Sequence, residues 1–491
     1  MVKAAVIGAG LGGLSAAIML RSAGFEVTVI EKNFHAGGKL MPVSLGDYHF
    51  DFGPNTITMP HVFSSVFEKA GVVMEDVLEF IKLPHHTKNF SPDGTELVFS
   101  HDSDYMKKQL KEQDPFGAEN YDKFLKEIER LYRLSEAHFF PKMFKGPLDY
   151  LSPRLGAAFS QVRPLETMDH FFRRYFKSPN VLQALNRYAT YIGSSPYVSP
   201  ATFAMIAYLE LVQGVYYVKG GNVKIAEALQ RAASDMGVSF LMGSEVVSIQ
   251  VKEKRAESLT LDSGEVIKAD EFIMNADLLK AFPELVQEDD RPHFSDQKRD
   301  RYEPSISAFV ILAGMNNISK KLHHHNVFFS SNYQREFHDL FKNGVYSTQP
   351  TIYISSSSYT DRQQSVNGDN LFILVNAPPL KKDGRLQVNP EEYKELIYDR
   401  LEAAGLPIRE HLSVEKVITP QEIAAKFGAY RGALYGISAN RKLDAFLRPG
   451  NFSRDIKNLS FAGGSTHPGG GSPMVTISGM NVAKALIKRH Q

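Results

Sequence analysis

Three glycines and one acid near the start of the chain have the types and spacing to bind a dinucleotide. Gly8, Gly10 and Gly13 form the pattern G-x-G-x-x-G, with Gly12 inside it, and Glu31 follows. The first glycine permits a tight turn, the second lets the backbone approach a pyrophosphate, and the third lets a helix pack closely on its sheet. An acid at this distance binds ribose hydroxyls. The pattern therefore predicts a nucleotide-binding turn.

The elements that must position these residues occur in the required order. Residues 3–7 form an apolar strand before the glycines, a helix with small residues follows to about Ser22, and the strand 27–30 ends at Glu31. A helix N-terminus offers free N–H groups and the positive end of its dipole, so we expect the pyrophosphate there. Strand, loop, helix, strand and acid in this order distinguish the motif from an ordinary glycine-rich turn.

A glycine pair follows the acid and makes the prediction more specific. Gly37 and Gly38 bring the chain close to a diphosphate, and Lys39 can offset charge there, with Lys32 just after the acid. This extension resembles that of the glutathione-reductase-like FAD enzymes. The segment 50–54, ending in Gly53 and Pro54, resembles the next contact of those enzymes, beside the flavin. The cofactor implied is FAD.

The end of the chain supplies a second glycine-rich loop. A strand at 458–462 runs into the loop 463–471, which has five glycines, and a helical pattern follows. Ser472 is expected to be the N-cap and Pro473 the first helical residue. The dipole of that helix favours negative charge, which reduced flavin develops near N1 and O2. We therefore expect the isoalloxazine ring here, contacted by Gly463, Gly464, Gly471, Pro473, Met474 and Val475.

A third region between residues 216 and 277 completes the expected cofactor domain. After Gly220 and Gly221, apolar residues recur at helical spacing as far as Gly237, and a strand, a hairpin and a closing strand follow. We expect Val246 and Asn275 of these strands to reach the cofactor.

These pieces predict an α/β fold with a Rossmann-like FAD-binding domain of the glutathione-reductase type and a discontinuous α+β substrate domain. A chain of 491 residues exceeds the ~250–300 residues at which one core stops growing. The expected FAD-binding domain comprises residues 1–60, 212–285 and 450–491. Residues 61–211 and 286–449 are expected to form a substrate-binding and membrane-associating region, in which the apolar strands 307–312 and 371–375 build a tunnel with helices.

Composition excludes several other classes of protein. The formal net charge is +1, so no strong field attracts nucleic acid, and the chain has no cysteine, which excludes thiolate metal sites and cysteine nucleophiles. Neighbouring histidines at 323–325 do not face one way, so we predict no metal site. No Ser-His-Asp set or paired carboxylates stand out, and the sequence identifies no catalytic residue.

The sequence also bears on the membrane. The N-terminus runs into glycines rather than a cleavage site, which argues against a signal peptide, and no stretch has the ~18–20 apolar residues of a spanning helix. Residues 134–176 mix aromatic residues with basic ones, a composition that fits a surface dipping into a bilayer interface and a solvated helix pair equally well. Composition alone therefore predicts only that the chain does not span a membrane. The basic residues are Lys142, Lys145, Arg154, Arg163, Arg173 and Arg174.

Several motifs together resemble the phytoene desaturase family of FAD-dependent carotenoid oxidoreductases. Besides the N-terminal motif, they are the segment 216–221, the segment 191–197 and the Thr-His-Pro-Gly sequence at 466–469. The triple glycine and Pro-Met-Val at 469–475 are most similar to the thirty-carbon branch, which contains diaponeurosporene and diapolycopene oxygenases and dehydrosqualene desaturase.

The resemblance implies an enzyme of carotenoid biosynthesis acting on a linear carotenoid, with a terminal methyl group as the favoured position of oxidation. The electron acceptor would be oxygen or a quinone. Because a carotenoid resides in a membrane, the resemblance also favours the bilayer-facing interpretation of residues 134–176 and implies a cytoplasmic protein peripherally associated with the membrane. Desaturation of a carotenoid precursor is the near alternative. More distant alternatives are an amine or protoporphyrinogen oxidase and a non-catalytic isoprenoid-binding escort protein.

Overall fold

The computed structural model describes residues 1–144 and 147–491; Lys145 of the basic set lies outside the described residues. Its strands are β1 (Lys3–Ile7), β2 (Glu26–Glu31), β3 (Met41–Leu45), β4 (Tyr48–Phe52), β5 (Phe80–Leu83), β6 (His85–Phe90), β7 (Glu96–Ser100), β8 (Val215–Val218), β9 (Ser239–Met242), β10 (Val246–Lys252), β11 (Arg255–Leu261), β12 (Val266–Lys268), β13 (Glu271–Met274), β14 (Ser307–Met315), β15 (His325–Phe328), β16 (Ile352–Ser356), β17 (Asn370–Ala377), β18 (Leu412–Ile418) and β19 (Leu459–Phe461).

Its helices are α1 (Leu11–Ser22), α2 (Pro60–Lys69), α3 (Met74–Val77), α4 (Ser103–Gln113), α5 (Pro115–His138), α6 (Pro153–Gln161), α7 (Met168–Phe172), α8 (Pro179–Asn186), α9 (Ile206–Tyr208), α10 (Lys224–Asp235), α11 (Leu278–Leu285), α12 (Asp296–Arg299), α13 (Tyr333–His338), α14 (Pro390–Ala403), α15 (Ile408–His411), α16 (Pro420–Phe427), α17 (Lys442–Phe446) and α18 (Ser472–His490).

The first of the two large sheets has five strands and is parallel. Its order is β19-β13-β1-β2-β9, and every neighbouring pair is parallel. All five strands come from the segments 1–60, 212–285 and 450–491. Helices α10 and α18 pack on α1, and a methyl group at Gly479 of α18 would lie 2.8 Å from the carbonyl carbon of Gly12, so only glycine permits this close approach. The α/β prediction is confirmed.

The second large sheet has seven strands. Its order is β18-β14-β17-β16-β15-β6-β7, and β15 and β6 are its one parallel pair among the described residues. The strands predicted at 307–312 and 371–375 are the central β14 and β17, which pair antiparallel. Helices α4 to α9 all lie in the segment 61–211.

A two-stranded sheet joins two segments that were predicted to lie in different domains. Strand β8 pairs antiparallel with β5, so the segment that begins at 212 adds a strand to the segment 61–211. The hairpin β3–β4 and the three-stranded sheet β10-β11-β12 complete the described strands. The division into domains at these boundaries stays a prediction.

Most of the described aromatic side chains of 134–176 are buried, so the expectation of an exposed aromatic surface is wrong. They pack into one core with the helices around them, because α5 and α7 direct their apolar faces inward. Phe159 and Tyr175 are partly exposed. The buried members are Phe139, Phe140, Phe144, Phe171, Phe172 and Phe176. What this segment exposes instead is aliphatic: Leu148, Leu151 and Leu165 are about three-quarters exposed, at 76%, 76% and 75%.

The basic residues of the same segment are largely paired with acids. Arg163 binds Glu127 and Glu166, with the nearest atoms 2.7 and 3.0 Å apart, and Arg173 binds Asp169 at 2.7 Å. This pairing lowers the positive charge available to an anionic surface. Among the described residues, no helix is both long enough and apolar enough to cross a membrane.

Candidate functional site

The predicted site residues meet at one edge of the parallel sheet. Gly8 follows β1, Glu31 ends β2, Asn275 follows β13 and Gly463 lies just beyond β19. Parallel strands present their carboxyl ends at the same edge, and ligands of open α/β sheets bind there. Four stretches far apart in sequence are thereby brought together.

The first glycine loop is shaped by Asn275. A methyl group on Gly10 would lie 2.8 Å from the Asn275 side-chain oxygen, and one on Gly12 would lie 2.7 Å from its side-chain nitrogen. Gly8 has φ of +100°, and a methyl group on it would clash with the Asn275 backbone. A methyl group on Gly13 would clash with the carbonyl oxygen of Gly8. The glycines are therefore required by packing as well as by the turn. Helix α1 begins here with no side-chain cap, which leaves its N–H groups available to a ligand.

The glycine pair at 37–38 packs on this first loop. The backbone N–H of Gly37 donates to the Ala9 carbonyl at 2.8 Å, and Gly38 lies so close to Gly10 that an added methyl would come within 3.3 Å of its Cα. Gly53, with φ of +117°, abuts the carbonyl of Lys39. The two loops thus form one continuous wall of backbone.

Glu31 is held by hydrogen bonds that fix the same wall. Its Oε2 accepts from the backbone N–H of Ala9 at 2.8 Å, and its Oε1 accepts from the backbone and side-chain nitrogens of Asn33 at 2.9 and 2.8 Å. The side chain is buried, yet it lines the cavity described below. Glu31 can therefore both set the loop and face a ribose.

Lys39 is half-buried, and its ammonium contacts protein oxygens. Nζ donates to the carbonyl oxygens of Leu434 and, at 3.3 Å, Ala433. Burial lowers the pKa of Lys39, while nearby Asp277 opposes that shift. Lys39 thus ties the cofactor half to a loop of the other half, and its role toward a diphosphate stays a prediction.

The C-terminal loop leads into an uncapped helix. The prediction that Ser472 is the N-cap is wrong: Gly471 is the N-cap, Ser472 is the first helical residue and Pro473 the second. Gly471 has φ of +103°, which glycine adopts readily, so the chain turns one residue earlier than expected. No side chain caps α18. Its positive dipole end therefore points, like that of α1, into the site.

These elements enclose one cavity of about 370 Å³, called here the dinucleotide cavity. Gly13, Pro473 and Met474 of the predicted set do not line it; Gly13 lies behind the loop. The predicted residues that line it are Gly8, Gly10, Gly12, Glu31, Lys32, Gly37, Gly38, Lys39, Gly53, Pro54, Val246, Asn275, Gly463, Gly464, Gly471 and Val475.

Sequence reasoning missed one wall of this cavity. Gly428, Leu434, Tyr435 and Gly436 line it, although they belong to the segment assigned to the substrate region. A signal was present, because glycines recur at 428, 432 and 436 and all three have positive φ. Regular spacing of glycine in a stretch without helix or strand periodicity indicates close approach of the backbone to another group.

A second cavity of about 250 Å³, called here the apolar cavity, adjoins the first. Phenylalanine and aliphatic side chains contribute much of its wall. Pro473 and Met474 line this cavity, and so does His467, whose Nε2 lies 2.6 Å from the Phe139 carbonyl oxygen. Burial lowers the pKa of His467 to about 4, so the ring is neutral and donates that hydrogen bond. The residues that line both cavities are Gly53, Pro54, Phe372, Leu374, Leu434, Tyr435, Gly470, Gly471 and Ser472.

The histidines at 323–325 form no metal site in the described part of the chain, where no cluster of three potential ligands occurs. His324 Nδ1 lies 2.6 Å from the Thr360 hydroxyl, and His325 Nδ1 lies 2.9 Å from the Tyr353 hydroxyl. Both rings are buried, which lowers the pKa of each. They take part in hydrogen-bond networks of the protein interior.

The model of the flavin containing amine oxidoreductase family matches residues 11–487. The chain belongs to this family. It is an FAD-dependent oxidoreductase, and the predicted cofactor and enzyme class are confirmed. The site fits FAD, because two uncapped helix N-termini, two glycine loops and a buried acid surround the dinucleotide cavity.

Relatives of this chain confirm the expected resemblance to the thirty-carbon branch. A 4,4'-diapolycopene oxygenase of Methylomonas sp is 35% identical, with 98% of this chain and 97% of the relative covered. A 4,4'-diaponeurosporene oxygenase of Staphylococcus haemolyticus is 31% identical, with 99% and 97% covered.

Solved structures share the fold over the full chain. Cyclohexylamine oxidase from Brevibacterium oxydans has a TM-score of 0.60 at 19% identity, covering 100% of this chain and 99% of its own. An oxidoreductase from Methanosarcina mazei has a TM-score of 0.61 at 16% identity, covering 98% and 100%. At such identities the likeness establishes the fold.

Proposed function

We propose that this enzyme acts in carotenoid biosynthesis, where it uses FAD to oxidise a terminal methyl group of a linear carotenoid. The proposed substrate has thirty carbons. The observation that carries the proposal is the full-length similarity to two oxygenases named for such compounds. The geometry supports it, because an apolar cavity opens directly onto the dinucleotide cavity.

In this proposal the residues of the dinucleotide cavity hold FAD. The N-termini of α1 and α18 face negative charge on the diphosphate and the reduced ring, respectively, and Glu31 faces the ribose. Residues 1–60, 212–285 and 450–491 then act as the FAD-binding domain, and 61–211 with 286–449 as the substrate region. The seven-stranded sheet of that region supplies Phe372 and Leu374 to the boundary between the cavities.

Bound flavin would supply hydride-acceptor chemistry, the oxygen atom of the alcohol would come from a water molecule that loses a proton, and the chain's own residues position the substrate. Where the polyene stops decides which carbon reacts, since a displacement of about 1 Å can change a rate ~100-fold. A chain end held at Tyr435 and Gly470 presents a methyl carbon. A chain that passes them presents an internal bond, as a desaturase requires. Oxygen or a quinone reoxidises the cofactor.

Product analysis tests this function. FAD-loaded enzyme is incubated separately with a fully conjugated linear thirty-carbon carotenoid and with its more saturated precursor, and the products are analysed by mass. We expect the first to gain oxygen as an alcohol or aldehyde and the second to react little. Efficient loss of hydrogen from the precursor without any oxygenated product would make the enzyme a desaturase.

We also propose that the enzyme docks peripherally on a membrane through the aliphatic residues Leu148, Leu151 and Leu165. A carotenoid partitions into the bilayer, so the enzyme must reach it there. Leu148 and Leu151 lie in one helical turn, Pro147–Leu151, and the exposed Leu165 comes from the same 134–176 segment. Insertion of such side chains is driven by burial of apolar area.

Vesicle flotation of the FAD-loaded enzyme tests the docking surface. The double variant Leu148→Ser and Leu151→Ser is expected to lose most binding to anionic vesicles, whereas Val366→Ser is the matched control, because Val366 is 71% exposed but outside 134–176. Most apolar driving force is insensitive to salt, so wild-type binding should largely survive moderate salt. Equal flotation of both variants would contradict the proposal.

A further inference from the structure

A buried polar cluster lies in the wall of the otherwise apolar cavity. It consists of Arg187, Tyr191, Glu210, Tyr353 and Thr56, and all five line that cavity. Arg187 and Glu210 are only 6% and 1% exposed. A hydrocarbon forms no hydrogen bonds with these groups, and their burial costs free energy unless they are paired. A polar ligand would supply that pairing.

The cluster does not satisfy its own hydrogen-bonding capacity. By strict hydrogen-bond geometry, neither the carboxylate oxygens of Glu210 nor Nε of Arg187 have a partner among the described residues, although the hydroxyls of Tyr188 and Tyr191 lie near enough to Glu210 to oppose the rise in its pKa that burial causes. Nδ1 of His86 lies 3.7 Å from the Glu210 carboxylate, but burial lowers the pKa of His86 to about 3, so its ring carries no charge to offset the acid. Arg187 donates to the Tyr191 hydroxyl at a long 3.3 Å. Buried polar groups in native proteins are normally paired, so this group of exceptions needs an explanation.

The backbone that carries the cluster is also irregular. Arg187 and Tyr191 lie in the tight turn Arg187–Ile192, and Glu210 lies in the π-helical turn Leu209–Gln213 that continues α9. Single π turns inside helices occur frequently at functional sites. Glu210 lines the cavity from this turn, and the positive charge of Arg187 acts on its carboxylate.

The cluster is at the flavin end of the apolar cavity. The Tyr191 hydroxyl lies 3.5 Å from the Thr56 hydroxyl, three residues beyond Gly53. Tyr353 pairs across the sheet with Leu374, and Gly53 and Leu374 line both cavities. The charge of Arg187 also acts on Tyr435, which lines both cavities. A substrate carbon placed at the boundary therefore has the cluster beside it.

We propose that this cluster is a binding subsite for the oxygen atom on the terminal carbon of a partly oxidised substrate. The inference rests on the proposed function and extends it from the hydrocarbon to the oxygenated stages. An aldehyde oxygen accepts hydrogen bonds from Arg187 and Tyr191. An alcohol can in addition donate to Glu210. The subsite would hold the chain end in place from alcohol to aldehyde.

Binding measurements test the subsite. FAD-loaded enzyme is reduced beforehand, so that it cannot oxidise the hydrocarbon, and the aldehyde is recovered and analysed by mass to check that the reduced cofactor has not converted it to an alcohol. It is titrated with a linear thirty-carbon polyene dialdehyde and, separately, with the parent hydrocarbon. We expect wild type to bind the aldehyde at least about tenfold more tightly, the effect of one charge-assisted hydrogen bond. The absorption maximum of the bound aldehyde should shift to longer wavelength.

Tyr191→Phe is the first test variant, because it removes only a hydroxyl, and Tyr346→Phe is its matched control. Tyr346 also has a buried hydroxyl without a partner among the described residues, but it lies in a different hydrophobic cluster and does not line the cavity. We expect Tyr191→Phe to lower the preference for aldehyde several-fold and Tyr346→Phe to leave it unchanged. Arg187→Met should abolish it; if that variant does not fold, Tyr353→Phe takes its place.

The outcomes separate the subsite from the proposed function. Equal wild-type affinity for aldehyde and hydrocarbon, or an unchanged preference in Tyr191→Phe and Arg187→Met, overturns the subsite. If wild type nevertheless converts the hydrocarbon to an aldehyde, the proposed function stands. If no oxygenated product forms at all, that function fails whatever the binding preference.

Discussion

Replacement of Glu31 by alanine should weaken FAD binding by one to two orders of magnitude without unfolding the protein. The carboxylate accepts three hydrogen bonds, two of them from the backbone N–H groups of Ala9 and Asn33. Alanine leaves both N–H groups without that partner, at about 1–3 kcal/mol each. If about 3 kcal/mol is lost from the binding free energy of FAD, its dissociation constant rises roughly 100-fold.

Equilibrium titration of the apoprotein with FAD, followed by flavin fluorescence, measures the effect, and thermal melts of apo and loaded protein show how much falls on stability. Glu31→Gln should lose less, about tenfold, because one acceptor oxygen remains. Glu26→Ala is the matched control on the same strand: its carboxylate is about half exposed and pairs with Lys3 at 3.3 Å, an interaction worth little. Wild-type affinity in Glu31→Ala would refute the assignment of Glu31 to the cofactor site.

Two further predictions concern the glycine loop and a buried carboxyl. Gly13→Ala should cost about 1–3 kcal/mol and reduce the FAD content of the purified protein, because its methyl would clash with the Gly8 carbonyl. Gly24→Ala is the control: its positive φ of +88° strains any added side chain, but the space around it is open and it lies outside the dinucleotide cavity, so this variant loses stability and should keep its FAD. Burial raises the pKa of Glu336 from 4.5 to about 7. Its contribution to stability is therefore complete below pH 4.5 and is lost as the pH rises through 7, by up to about 3 kcal/mol. Glu336→Gln should flatten the pH dependence of thermal unfolding in this range; an unchanged slope would contradict this.

Local patterns in the sequence were sufficient to predict the cofactor half. The positions of Gly8, Gly10, Glu31 and Asn275 follow from strands and helices that short-range periodicity identifies, and the parallel sheet then brings their ends together. Ser472 shows the limit of that approach. Its residue type favours a cap, but the conformation of Gly471 decides where the helix begins.

Features that depend on tertiary packing were not predictable in the same way. The aromatic residues around Phe171 have no local pattern that separates a core from a membrane surface, and only the packing of α5 against α7 buries them. Likewise, Leu434 and Tyr435 reach the dinucleotide cavity because their loop is fastened to Lys39, nearly 400 residues earlier in the chain.

The polar cluster also bears on the choice between oxidation of a chain end and desaturation. A polyene threaded past the flavin would place hydrocarbon against Arg187 and Glu210 and keep both groups desolvated without partners, at a cost of a few kcal/mol. When a chain stops at the cluster, the oxygen atom added by the first oxidation can form hydrogen bonds with those groups. The first product thus binds better in the register that produced it than the hydrocarbon does. The groups that bind the oxygen then hold the chain end beside Tyr435, which lines both cavities, and this favours repeated oxidation of one terminal carbon over movement of the chain to an internal bond.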